Sequence, residues 1–121
     1  MSYTLALDAK LCSSQETDYP LLACEVEPSA GKLPPAFSHI ANSPENLSLR
    51  AVKKGRQGPG HVLRFYETAG RETLCDILFD KDITAAWQVN VLEKKGAQLP
   101  LRKKRVSFHV KAWEIYSLLV E

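Results

Sequence analysis

Arg64 and Glu67 stand three residues apart in HVLRFYETAG (residues 61–70), Glu93 follows the run VNVL, and Glu114 precedes Ile115. Charges set beside apolar neighbours in this way are where the chain could do chemistry. If His61 to Glu67 is a strand, alternation sends Val62, Arg64 and Tyr66 to one face and Leu63, Phe65 and Glu67 to the other. Arg64 and Glu67 then cannot pair with each other, and each needs its own partner. Two roles fit all four residues: anchoring loops through charge-assisted hydrogen bonds to backbone, or contacting a neighbouring domain. The first needs no ligand.

Other reactive groups are scattered. Hydrolysis of a glycosidic bond needs two carboxylates facing one another across a pocket. Asp80 and Asp82 instead share a turn, where bonding to nearby backbone explains them more simply. His39, His61 and His109 fall on different expected strands without a neighbouring ligand, so none defines a zinc site. The loop KKGRQGPG (residues 53–60) lacks the Gly-Lys-Ser/Thr ending of a phosphate loop and leads into a strand, leaving no helix N-terminus to hold an anion. The basic run Arg102 to Arg105 has no interleaved aromatic platform and reads as a solvated edge that discourages strand-to-strand association. Trp87 and Trp113 could stack on sugar rings, yet both lie in apolar strand contexts, which favours core packing.

The elements that position these groups are short and alternating. Tyr3 to Leu11 has a period of two, with one apolar and one wetter face. A short apolar run ends near Val26, Glu27 to Pro35 is irregular, and Ala36 to Ile40 is a brief edge strand followed by a turn at Asn42, Ser43 and Pro44. Leu47 to Ala51 makes the next strand, and the glycine-rich loop turns it into His61 to Glu67. Thr68, Ala69 and Gly70 then turn the chain into a hairpin with Glu72 to Phe79. Ile83 to Leu92 is the cleanest alternation, Glu93 to Gln98 a polar connection, and Val106, Phe108 and Val110 another alternating run. Lys111 to Glu114 makes a corner before a last strand, Ile115 to Val120, covered on both faces. No segment sustains helical spacing. The fold expected is all-β, an antiparallel β-sandwich of immunoglobulin-like or galactose-mutarotase type.

The 121 residues fit one domain, drawn over 1–121, and bury enough surface for a core without disulfide staples. The formal charge of +2 gives no reason to expect nucleic acid or membrane as a partner. Cys12, Cys24 and Cys75 are far apart and read as buried thiols in a reducing compartment. The start MSYTLALDAK is broken by Asp8 and Lys10 and lacks the form of a secretory signal, so a cytoplasmic location is expected.

Taken in order, LPPAF, PENLSLRAVKKG, HVLRFYETAGR, QVNVLEKKG and WEIYSLLV resemble the carboxy-terminal β-domain of the α-mannosidases of glycoside hydrolase family 38. The matching positions are Ala51, Lys53, Leu63, Arg64, Phe65, Tyr66, Glu67 and Gly70, then Asn90, Val91, Leu92 and Glu93, and finally Trp113, Glu114, Ile115, Ser117 and Leu118. The likeness covers about residues 19–121. Ala112 stands where a proline is usual, and Tyr116 where a basic residue is common.

The resemblance implies a parent enzyme that removes terminal α-linked mannose, with zinc or another divalent metal and an aspartate nucleophile in an amino-terminal catalytic domain. This chain would carry no cofactor or catalytic residue of its own. As a C-terminal fragment it would pack on that domain and help wall the cleft, with mannose-containing substrate reached only through the parent. Arg64, Glu67, Glu93 and Glu114 are then structural or interdomain contacts. The other reading is an independent carbohydrate-binding or protein-interaction module, which requires Trp87 or Trp113 outside the core.

Overall fold

A computed structural model describes residues 23–25, 27, 30–32, 34, 38–56 and 58–121. The chain divides into two compact units, Met1–Pro35 and Ala36–Glu121. The described residues of the first unit carry no helix or strand. The strand expected at Tyr3 to Leu11, the apolar run ending near Val26, and Cys12 lie outside the described residues.

The second unit is all strand: β1 (Ile40–Ser43), β2 (Leu47–Lys54), β3 (His61–Glu67), β4 (Thr73–Phe79), β5 (Ala86–Val89), β6 (Lys95–Gln98), β7 (Leu101–Arg102), β8 (Arg105–Val110) and β9 (Ile115–Val120). They form a four-stranded sheet, β1-β4-β8-β7, and a five-stranded sheet, β2-β3-β9-β5-β6, with every pairing antiparallel. This is the expected β-sandwich.

Alternation builds the core. Leu63, Phe65 and Glu67 point inward from β3, and the register Leu63↔Leu118 and Phe65↔Tyr116 carries the same face onto β9. From the opposite sheet, Cys75, Ile77, Val106, Phe108 and Val110 meet them, all buried. Phe108 stacks on Tyr116 at 4.3 Å and tilts against Phe65 at 6.0 Å, joining the sheets through three aromatic rings. Burial pushes the Cys75 thiol up to about 11 and the Tyr116 hydroxyl up to about 12, so both stay neutral at pH 7. Cys24, expected to be buried like Cys75, is exposed.

The outer face of the five-stranded sheet carries a second cluster, Val62, Val89 and Leu119, with Trp87 against it. The β2–β3 loop lies over this cluster: Gly55 donates to the Gly60 carbonyl, and both glycines approach Leu119. Gly60 has φ +134°, and a Cβ there would come within 2.7 Å of the Val120 carbonyl, so only glycine fits.

Four expectations need correction. β3 and β4 are not a hairpin, because they belong to different sheets. The Glu67 amide donates to the Glu114 carbonyl and its carboxylate binds the following amides, which takes the chain across the sandwich instead of back along the same sheet. The edge strand and turn near residue 40 are displaced. Asn42 and Ser43 lie within β1, and the Leu47 amide closes the turn on the Pro44 carbonyl. The run Ile83 to Leu92 shrinks to β5, for a bulge follows Trp87 and the Asn90 carbonyl accepts the Glu93 amide, leaving Val91 and Leu92 exposed at a turn. Part of the supposed polar connection, Lys95–Gln98, is an edge strand paired with β5.

Candidate functional site

β3 ends at one corner of the sandwich, and its last residue gathers three loops there. Glu67 is 4% exposed, and its carboxylate accepts four hydrogen bonds: Asn46 Nδ2 at 2.7 Å and the Ala69 amide at 2.8 Å on Oε1, and the Gly70 amide at 2.7 Å and the Trp113 amide at 2.9 Å on Oε2. Asn46 precedes β2, Ala69 and Gly70 follow β3, and Trp113 precedes β9, so one side chain ties the β1–β2, β3–β4 and β8–β9 connections together. Asn46 also donates to Thr73 Oγ1 at 3.0 Å, and its carbonyl accepts the Thr68 amide at 2.9 Å. Burial by itself pulls the Glu67 pKa up and is the largest single influence. The bonds from Trp113, Asn46, Ala69 and Gly70 together outweigh it and bring the pKa down to about 2. Such a carboxylate stays ionised at neutral pH, and its lone pairs are committed to donors. It is built to hold backbone and neither gives nor takes a proton.

Glu114 shapes the same corner. Its Oε2 accepts the Lys111 amide at 2.7 Å, and its own amide donates to the Lys111 carbonyl at 3.2 Å. Between them Trp113 adopts φ +60° and stands 65% exposed. The apolar sequence context predicts core packing for this residue, and the structure corrects it. The corner reverses the backbone and throws the indole outward, where it lies against Gly70, whose added Cβ would meet Trp113 Cζ2 at 2.5 Å. Trp87 is half-buried on the outer face of its sheet, with the Lys95 ammonium 3.6 Å from the ring centroid.

Glu93 anchors a different loop. Buried in the β5–β6 turn at φ +63°, it accepts Lys53 Nζ on Oε1 and the Arg56 amide at 2.7 Å on Oε2, pinning the β2–β3 loop over the outer cluster. The Lys53 hydrogen bond, then that of Arg56, holds its carboxyl below the usual range against the opposing effect of burial. Replacing Glu93 by alanine is expected to release this loop. Hydrogen exchange at the Gly55 and Arg56 amides should quicken by about tenfold or more while the β4 and β8 amides keep their protection; unchanged exchange at Gly55 would show the loop to be held otherwise.

Arg64 bonds none of these three carboxylates. Its Nε donates to Ser117 Oγ at 3.2 Å across the β3–β9 pair. At the far end of the sandwich, a groove of about 640 Å³ is floored by Leu63, Phe79 and Val120 and edged by His39, Asp80 and Asp82. His39 Nδ1 lies 2.9 Å from Asp80 Oδ2, and that hydrogen bond holds Asp80 below its ordinary range. His61 and His109 are exposed on separate strands, and no group of three His, Cys, Asp or Glu that could hold a metal occurs among the described residues. The basic run lies exposed at the turn joining β7 to β8, with Arg102 paired to Arg105 and Lys103 at φ +55°.

Sequence reasoning found Glu67, Glu93 and Glu114 but missed Asn46 and Lys53, their distant partners. The spacing E-T-A-G contains the local half of the signal, since a glutamate can reach amides two and three residues ahead. Nothing in the sequence marks Asn46, 21 residues upstream.

The model of one protein family, described as the glycosyl hydrolases family 38 C-terminal beta sandwich domain, matches residues 46–118. That stretch runs from Asn46 into β9 and contains all three anchoring carboxylates. No curated protein matches the chain.

Proposed function

The chain belongs to the C-terminal β-sandwich domains of glycosyl hydrolase family 38, and from that premise we propose that it is the non-catalytic C-terminal domain of an α-mannosidase. Its parent hydrolyses terminal α-linked mannose in the cytoplasm, using zinc or another divalent metal held by its own catalytic domain. The sandwich packs on that catalytic domain and helps wall its cleft.

The observation that carries this reading is the placement of the family match over the anchored loops. Within it Glu67 holds three connections, Glu93 a fourth and Glu114 the corner at Lys111, while Arg64 bonds its neighbouring strand. A rigid rim of loops suits a surface that must fit against another domain. The purified chain should release nothing from an aryl α-mannoside with or without added zinc, and activity that follows the chain through purification would overturn the assignment. Mixed with the separately expressed catalytic domain of the same polypeptide, it should co-elute; separate elution would argue against the packing role.

One observation favours the second reading, an independent carbohydrate-binding or protein-interaction module: Trp113 stands outside the core. That module would work without a catalytic partner, so the same co-elution experiment separates the two.

A further inference from the structure

We propose that the β7–β8 turn recognises a phosphorylated segment of a partner protein, Arg102 and Arg105 gripping a phosphate monoester and Leu78 taking an apolar residue beside it. The chain's formal charge is +2, and Arg102, Lys103, Lys104 and Arg105 supply +4, so the other residues together carry −2. Positive charge is thus gathered at one place, and the placement is costly. Arg102 and Arg105 are direct partners across a two-residue turn, which sets their Cβ atoms about 5 Å apart on one face, and like charges so opposed destabilise a hairpin. Lys103 opens the turn at φ +55°, where such hairpins favour glycine or asparagine. A guard against strand association needs only charge at the edge. It needs neither a facing pair of arginines nor a lysine in the left-handed region.

The turn is fixed and its cations are left open. The Lys104 carbonyl accepts the Phe79 amide at 2.9 Å and its Nζ donates to the Asp80 carbonyl at 2.6 Å, fastening the turn to the end of β4. Arg102, Lys103 and Arg105 are exposed, and none of their side chains bonds or pairs with another described residue. The acids of β4 and its end are engaged elsewhere: Asp76 Oδ1 accepts Ser107 Oγ, and Asp80 Oδ2 lies 2.9 Å from His39 Nδ1. A site whose backbone is fixed before binding loses little freedom when a ligand arrives.

Two adjacent guanidinium forks suit a dianion with several oxygens. A phosphate monoester brings a charge of about −1.5 to −2 at neutral pH on three acceptor oxygens, where a carboxylate brings one charge. The face beside the arginines indicates what carries the phosphate. The register runs from Arg102 to Arg105, then to Leu78 of β4 and Ala41 of β1, so all four share the outer face, and Leu78 is 45% exposed. Leu78 stands one strand from Arg105, about 5 Å, a span that two residues of an extended peptide cover with their side chains on one side. A phosphoserine followed two positions later by an apolar residue fits this row. Free phosphate or a sugar phosphate would leave Leu78 unused. Nucleic acid and anionic bilayers are negative over a wide area and would meet the −2 of the remaining residues, and no exposed aromatic side chain on β7 or β8 offers bases a platform.

The test titrates the full chain into a short fluorescent peptide bearing phosphoserine with leucine two positions later, followed by anisotropy. Saturable binding is expected, about tenfold or more weaker for the unphosphorylated peptide, with amide chemical shifts moving at Lys103, Arg105 and Leu78. Arg102→Ala and Arg105→Ala should each weaken it about tenfold, and Arg105→Lys, which keeps the charge without the fork, should recover only part. Neither alanine variant should melt lower than the unsubstituted chain, because each relieves the facing pair. Leu78→Ala should weaken the phosphopeptide while leaving inorganic phosphate as it was, and Lys54→Ala, in the other sheet, should change nothing. An absence of saturable binding, equal binding of the unphosphorylated peptide, or undiminished binding in both alanine variants would overturn the site. Binding to phosphatidylserine vesicles or single-stranded RNA without binding to the phosphopeptide would overturn it too, in favour of an extended polyanion. The accessory role needs no phosphate and is decided separately by co-elution of the unsubstituted chain.

Discussion

Replacing Glu67 by alanine is expected to lower the melting temperature by on the order of 10 °C, more than any other single polar substitution. The loss has a definite origin. Asn46 Nδ2 and the amides of Ala69, Gly70 and Trp113 would be left facing a site from which their acceptor has been removed. Three connections would loosen together, since the same two oxygens hold them all. Glu67→Gln keeps the shape but places an NH2 group among N–H donors and removes the charge that strengthens every bond, so it should recover only part of the loss. A thermal melt within about a degree of the unsubstituted chain would contradict this.

The same residue sets a pH dependence. Its pKa falls from an ordinary 4.5 to about 2 on folding, so the folded state binds its proton less readily than the unfolded chain does. The stabilisation is therefore fully present above about pH 4.5 and is lost as the pH falls through about 2. In Glu67→Gln this contribution should vanish, and the acid limb of the stability curve should flatten over that interval.

Phe65→Ala is the second large effect expected, a loss of about 3–5 kcal/mol. Phe65 is 0% exposed and touches the Phe108–Tyr116 stack from β3, an inner strand of the five-stranded sheet between β2 and β9, so no neighbour can close the cavity without moving a sheet. Against a typical domain stability of about 5–15 kcal/mol, that loss takes a large part of the whole. Leu74→Ala gives the control: Leu74 is 56% exposed on the outer face of β4, and its loss should stay within about 0.5 kcal/mol. Chemical denaturation of both variants checks the contrast, and equal midpoint shifts would mean that the core had been misplaced.

Alternation made β3 and β8 legible, because inward side chains such as Phe65 and Val106 recur every second residue, and β9 was legible from apolar residues on both of its faces, buried from Tyr116 to Val120. The β2–β3 hairpin was equally plain from its glycines. What alternation cannot state is which sheet a strand joins. The turn at Thr68 to Gly70 looks like a hairpin until the Glu67 carboxylate is seen to capture its amides, a contact made by a side chain rather than a pattern. β5 failed for a related reason, as a bulge shifts the faces and places Val91 and Leu92 in solvent while the letters go on alternating. The candidate site was half readable: the carboxylates drew notice by standing at strand ends, but Asn46 and Lys53 reach them across the fold. Trp113 misled because the apolar run it leads into is buried only from Tyr116 onward, while the corner at φ +60° leaves Trp113, Ala112 and Ile115 exposed.

The account holds that the marked carboxylates of this sandwich are fixed structural ions, with Glu67 foremost. Following the Glu67 side-chain carboxyl carbon by NMR as acid is added tests that directly. A midpoint near 2 is the predicted result, and a midpoint at or above the ordinary value of about 4.5 would contradict it.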